Sequence, residues 1–199
     1  YLVLTGHIIT PRLVIVNNDF WTGLKPADRT LLEASIAAGV TWQDKELAKA
    51  WDEKDTKAFV KRKKDLKTKL FKEVERQTGK KFDPNVLTIV WARRFAGYKR
   101  ADLLWQDRER FLNLMYDVKQ PVQIIWAGKP YPMDYYAIDI FNYLVHNSKE
   151  HHNMAVLIGY EIELSRLLKL GSDVWLNTPR ITREASGTSG MTASFNGSV

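Results

Sequence analysis

The sequence predicts an α/β fold, a doubly wound parallel sheet, and three observations lead there. Four short apolar runs, Val86 to Ala92 (VLTIVWA), Val122 to Ala127 (VQIIWA), Met154 to Ile158 (MAVLI) and Asp173 to Asn177 (DVWLN), read as strands buried on both faces. Between them, Tyr98 to Val118, Asp134 to Ser148 and Glu161 to Leu170 have the length and pattern of helices. Strand and helix therefore alternate, which implies a parallel sheet joined by right-handed crossovers.

In chain order, an extended start (Tyr1 to Val16) precedes helices near Ala27 to Ala38 and Asp44 to Trp51. A third helix follows, with Asp55 as N-cap, Phe59, Leu66, Leu70 and Val74 on one face and Gly79 as its stop. We expect one partial Rossmann-like domain over residues 1–199, with 1–83 a mainly helical lead-in and 84–199 the parallel βα units. There is no internal repeat, low-complexity tract or flexible linker. The chain starts without Met and stops just after a Gly-rich stretch, as expected of a piece of a longer protein.

Composition narrows the function classes. A hydrophobic content of 45% with 27% charged residues suits a globular chain that can bury a real core. No run approaches the roughly 18 apolar residues needed to cross a bilayer, and the first residues carry no leader signature, so no membrane partner is expected. The absence of cysteine excludes disulfides and thiolate metal sites and is compatible with a cytoplasmic setting. The net charge of +7 is concentrated between Lys57 and Arg76, which hold nine basic and three acidic residues. With no aromatic residues placed among the charges as stacking platforms, this segment reads as the solvated face of an amphipathic helix, and no nucleic-acid partner is expected.

In an open α/β sheet, ligands sit beyond the carboxyl ends of the strands, where helix N-termini and loop amides converge. The four exits read RRFAGYKR (93–100), GKPYPMD (128–134), GYEIELS (159–165) and NTPRITREASGTSGM (177–191). Two of them suit anions. Arg94 and Lys99 can neutralise a phosphate, and Gly187, Thr188, Ser189 and Gly190 can present unobstructed amides at a helix start. Each feature also has a plain reading: surface arginines, a loop with a helix cap, and tyrosines (Tyr98, Tyr160) that simply pack. His151 and His152 read as solvated turn residues, His7 and His146 are isolated, and Glu161 and Glu163 read as a helix start. No metal-ligand spacing is present, and no metal site is expected.

At these residues a resemblance becomes specific. ARRFAGYKRADLL together with DVWLNTPRITREASGTSGM resembles the α-glucan (glycogen, starch and maltodextrin) phosphorylase family. LTGHIITPR, GKPYPMD and GYEIELSRLLKLGSDVWLN extend the likeness over most of the chain. The resemblance implies the first part of the C-terminal Rossmann-like domain of a two-domain GT-B glycosyltransferase, whose N-terminal domain would be the missing partner. It also implies phosphorolysis of the terminal α-1,4-linked glucose of a glucan, with pyridoxal phosphate as cofactor.

By the same resemblance, Arg94 and Lys99 would hold substrate phosphate, while Arg93, Gly187, Thr188, Ser189 and Tyr160 would serve the cofactor. Glu184 would grip glucose hydroxyls, helped by backbone amides of Ala185, Ser186 and Gly187, with Tyr98 near the sugar. One position departs from the pattern: where the family's Schiff-base lysine follows Met, this chain reads Met191-Thr192, and a hydroxyl forms no imine. Two further readings stay open here, a GT-B transferase using a nucleotide sugar and a non-catalytic glucan-binding or regulatory module.

Overall fold

The computed structural model of the chain describes residues 22–31, 33–34, 56–184 and 187–199. The chain divides into two compact units, Tyr1–Lys61 and Arg62–Val199. In the first, residues 26–31 and 33–34 are helical, opening at Pro26, whose missing amide costs nothing at a helix start. Arg29 ties this turn to the residues before it, donating from Nε to the Leu24 carbonyl at 3.1 Å and from Nη2 to that of Thr22 at 2.6 Å. The expected extended start, the Asp44 to Trp51 helix and the Asp55 cap lie outside the described residues.

The sheet-bearing unit follows the expected alternation. Helix α1 (Thr56–Thr78) leads to β1 (Leu87–Ala92), α2 (Arg108–Met115), β2 (Val122–Ala127), α3 (Tyr135–Glu150), β3 (Met154–Leu157), α4 (Ile162–Gly171), β4 (Val174–Trp175) and α5 (Thr188–Phe195). Gly79 ends α1 in the left-handed region (φ 72°), its amide donating to the Glu75 carbonyl at 2.8 Å. The expected single helix over Tyr98 to Val118 is instead two short 3-10 turns, Gly97–Lys99 and Leu103–Asp107, followed by α2, which Asp107 caps through the Arg110 amide.

All strand pairs are parallel, and the order is β3-β2-β1-β4. Register runs from Leu87 opposite Val122 to Ala92 opposite Ala127, and from Ile124 opposite Met154 to Ala127 opposite Leu157. The chain builds outward from β1 to β3, then crosses back through α4 to place β4 on the other side of β1. This reversal sends the helices to opposite faces and leaves a switch point between β1 and β4.

Side-chain alternation separates the two cores. Val90, Ala92, Ile125, Ala127, Ala155 and Leu157 pack with Leu70, Phe71 and Val74 of α1, Leu164 and Leu168 of α4 and Ala193 of α5. Ile89, Trp91, Ile124, Trp126 and Met154 pack with Phe111 and Met115 of α2 and Ala137, Ile140 and Leu144 of α3. The two large indoles here keep their N–H groups satisfied: Trp126 Nε1 donates to the Ala101 carbonyl at 3.0 Å and Trp91 Nε1 to Thr178 Oγ1 at 3.1 Å.

The basic helix corrects one expectation. Lys67, only 3% exposed, donates to Asp173 Oδ2 at 2.5 Å and to the Val86 carbonyl at 2.6 Å. Lys63 donates to the carbonyls of Leu170, Ser172 and Gly197. These lysines are not on a solvated face: they stand on the side of α1 that carries Leu70 and Val74, and their ammonium groups cap carbonyls at the amino edge of the sheet. His151 is likewise no free turn residue, since its ring lies against Trp105 and Tyr116, with Nδ1 2.7 Å from the Tyr116 hydroxyl.

Candidate functional site

The β1 and β4 exits meet at the switch point. Beyond Ala92, strand alternation sends Arg93 inward, where it is 5% exposed, while Arg94 stays exposed. Arg93 Nη1 donates to Glu184 Oε2 at 2.9 Å, and Nη2 donates to Ser189 Oγ at 3.1 Å and to Asn177 Oδ1. Its Nε is buried without a partner. Lys99, from the first 3-10 turn, donates from Nζ to Glu184 Oε1 at 2.7 Å and stands 5.0 Å from the centre of the Tyr98 ring. Glu184 is therefore gripped by two buried cations. The Lys99 hydrogen bond, with the Arg93 charge beside it, holds its carboxyl below the usual carboxylate range.

Backbone contacts fasten the two exits together. The Arg180 amide donates to the Tyr98 carbonyl at 2.8 Å, and Thr178 Oγ1 donates to the Lys99 carbonyl at 2.9 Å. Arg100, in the left-handed region at φ 50°, returns its guanidinium to the carbonyls of Thr178 and Pro179 at 2.9 and 3.1 Å. A non-glycine residue held there is a strained residue kept in place by its surroundings, a pattern concentrated at functional sites. Gly187 caps α5, and a Cβ there would come within 2.9 Å of Asn177 Nδ2 and 3.3 Å of Arg93 Nη2. Only glycine lets the start of α5 approach Arg93 this closely.

Arg94 faces elsewhere. With Lys129, Pro130, Tyr131, Pro132 and Tyr160 it lines an open cleft of about 520 Å³. It makes no ion pair among the described residues, and Lys99 does not line this cleft. The Tyr160 hydroxyl donates to the Ala92 carbonyl at 3.3 Å, so Tyr160 stands between the cleft and the end of β1. Thus Arg93, Lys99, Glu184, Gly187 and Ser189 converge, while Arg94 and Tyr160 form a neighbouring group. Ala185 and Ser186 lie outside the described residues. Sequence reasoning passed over Asn177, Thr178, Lys129 and Tyr131, although all four sit on strand exits already marked as ligand-facing.

Thr192 lies one turn into α5, exposed, its hydroxyl donating to the Thr188 and Ser189 carbonyls at 2.9 and 3.0 Å. The residues present do not fit a covalently held pyridoxal phosphate, because this side chain offers no amine and its hydroxyl is turned back on its own helix. No group of His, Asp or Glu among the described residues could hold a metal ion, and no described helix is long and apolar enough to cross a membrane.

Known proteins share this stretch of sequence. The chain is 41% identical over 121 residues to a glycogen phosphorylase of Mycobacterium tuberculosis and 43% identical over 118 residues to a maltodextrin phosphorylase of Thermococcus litoralis. It is related to the glycogen and maltodextrin phosphorylases. These matches cover 59% and 58% of the chain but only 14% of either phosphorylase. An uncharacterized protein of Methanocaldococcus jannaschii is 49% identical over 184 residues, which is 92% of this chain and 35% of that protein. The chain thus spans about a third of that protein's length and far less of the phosphorylases'. Residues 1–89 also match the profile of the bacterial extracellular solute-binding proteins, family 7. That match covers less than half of the chain, excludes every residue of the site and assigns no family.

Proposed function

We propose that this chain is the sugar- and phosphate-reading part of an α-glucan phosphorylase-type glycosyltransferase, whose reaction moves the terminal α-1,4-linked glucose of a glucan to phosphate. The observation that carries this reading is the convergence of Arg93, Lys99 and Glu184 at the β1/β4 crevice. A carboxylate kept ionised by fixed cations is a strong acceptor for sugar hydroxyls. Fixed cations around it suit the charge that develops in phosphorolysis. In this reading Glu184 grips glucose, aided by the amides of Ala185, Ser186 and Gly187 and by Tyr98. Arg94 serves the substrate phosphate from the neighbouring cleft, while Lys99, held on Glu184 at 2.7 Å, fixes the carboxylate that faces the sugar. Arg93, Gly187, Thr188, Ser189 and Tyr160 form a phosphate grip of the kind that pyridoxal phosphate needs at one end.

Thr192 removes the covalent anchor, so any pyridoxal phosphate bound here is held by its phosphate alone. The same substitution favours a second reading, a GT-B transferase that takes a nucleotide sugar and needs no such lysine. Calorimetric titration of the full chain with maltoheptaose, α-glucose 1-phosphate and a nucleoside diphosphate glucose separates the two. Binding of the first two supports the phosphorylase-type reading, and binding of the nucleotide sugar alone replaces it. The chain by itself should show no phosphorolysis, because a GT-B active site needs a second, facing domain.

A further inference from the structure

We propose that Thr178 is the positioning residue of the sugar grip: its hydroxyl, held by the Trp91 indole in the core, fixes the peptide that follows Lys99 and so brings the Lys99 ammonium onto Glu184. This rests on the reading of Glu184 as the sugar-facing carboxylate and names what sets its geometry. Thr178 acts through Lys99 and is not itself a catalytic residue. Three groups meet at its hydroxyl. Trp91, only 1% exposed, donates from Nε1 to Thr178 Oγ1 at 3.1 Å. The hydroxyl donates in turn to the Lys99 carbonyl at 2.9 Å, with the Arg100 carbonyl a weaker acceptor at 3.3 Å. An indole can only donate, whereas a hydroxyl accepts and donates at once, so threonine or serine completes this relay and valine cannot.

The peptide so held leads into Arg100, whose φ of 50° is costly for a residue with a side chain and persists only where the surroundings overdetermine it. Those surroundings are residues 178–180: the Arg100 guanidinium donates to the Thr178 and Pro179 carbonyls, and the Arg180 amide donates to the Tyr98 carbonyl. Beyond Arg100, Trp126 Nε1 donates to the Ala101 carbonyl at 3.0 Å. Without the Thr178 hydroxyl, Arg100 is freer to relax to a right-handed conformation, which turns the Lys99 peptide and carries the Lys99 side chain with it. Arg93, the other cation on Glu184, donates separately to Asn177 and Ser189. The hydroxyl therefore governs one half of the grip, the 2.7 Å bond from Lys99 Nζ to Glu184 Oε1 that does most to keep this carboxylate ionised.

The test uses the full chain with its glutamates isotopically labelled at the carboxyl carbon, Glu184 being assigned by the signal lost in Glu184→Gln. NMR reads the titration, and calorimetry reads the binding of maltoheptaose and of inorganic phosphate. In Thr178→Val the pH at which Glu184 takes up its proton should rise toward that of an ordinary glutamate, because the Lys99 hydrogen bond that lowers it is loosened. Maltoheptaose should then bind about tenfold more weakly, the loss of one charge-assisted contact. Inorganic phosphate, which the reading above gives to Arg94 in the neighbouring cleft, should stay within about twofold. Thr178→Ser should restore both the titration and the sugar affinity. If valine alone prevents folding, the pair Trp91→Phe with Thr178→Val, which leaves no indole N–H unpaired at this point, carries the same expectations. A lower urea midpoint with unchanged Glu184 titration and unchanged maltoheptaose affinity makes Thr178 a merely structural residue and overturns the assignment, while the sugar-gripping reading stands. If the unaltered chain binds no maltoheptaose, that reading fails and this one with it.

Discussion

Replacing Glu184 by glutamine tests whether the switch-point crevice is held together by charge. The carboxylate accepts from Arg93 Nη1 at 2.9 Å and Lys99 Nζ at 2.7 Å, and both cations are at least nine-tenths buried by side-chain area. Charge-assisted hydrogen bonds contribute about 1.5–3 kcal/mol each. The Glu184 side chain is one-fifth exposed and the amide retains one acceptor, so the net loss is set at about 2–3 kcal/mol. For a chain of this size that corresponds to a fall in Tm of roughly 5–10 °C, read by circular dichroism at pH 7. The sign of the pH dependence follows from the lowered pKa of Glu184, caused first by the Lys99 hydrogen bond. Its stabilisation is complete above the unfolded value of about 4.3 and is lost as pH falls through the lower folded value, so wild type and variant should converge in acid. Phosphate should then stabilise Glu184→Gln more than wild type, because two cations no longer neutralised by a carboxylate attract an external anion more strongly. Equal Tm values at pH 7, or a gap that persists undiminished below pH 3, would refute the reasoning.

Gly128→Ala should prevent folding or cost several kcal/mol, since φ is 152° and the new Cβ would fall against the Arg93 carbonyl; soluble yield and urea midpoint check it. Gly187→Ala should cost about 1–3 kcal/mol by pressing on Asn177 and Arg93, with a parallel loss of phosphate affinity in titration. Within the basic helix, Lys64→Glu should change stability by no more than about 0.5 kcal/mol, whereas Lys63→Glu should be strongly destabilising because it sets a carboxylate against three carbonyls. Burial lowers the Lys63 pKa to about 8, so between about pH 8 and 10.4 the unfolded chain holds the extra proton. Stability relative to Lys63→Met should therefore rise with pH across that window, and a flat or falling difference in urea midpoint counts against it. Borohydride reduction in the presence of pyridoxal phosphate should leave no adduct at residue 192, and Thr192→Lys should create one if the phosphate grip is intact; mass spectrometry of the peptides decides.

What the sequence determined by itself was local. β2 occupies the predicted residues, and β1 and β3 each lose one terminal residue, because an apolar run bounded by turn residues carries its own limits. The strand exits were legible as ligand-facing for the same reason: direction along a parallel strand is a property of the chain. The inward turn of Lys67 was also open to reading, since it stands three and seven residues before Leu70 and Val74 and so shares their face of the helix. Tertiary structure alone decided the rest. Arg93 and Arg94 are neighbours of like chemistry, and strand alternation guarantees only that they point apart. The placement of β4 beside β1, set by a crossover that reverses the winding after β3, brought Asn177, Glu184 and Ser189 to the side of Arg93. The same placement left Arg94 with Lys129 and Tyr131. Strand order is settled by which faces can be buried together across the whole domain, and no window of sequence around residue 93 contains that information.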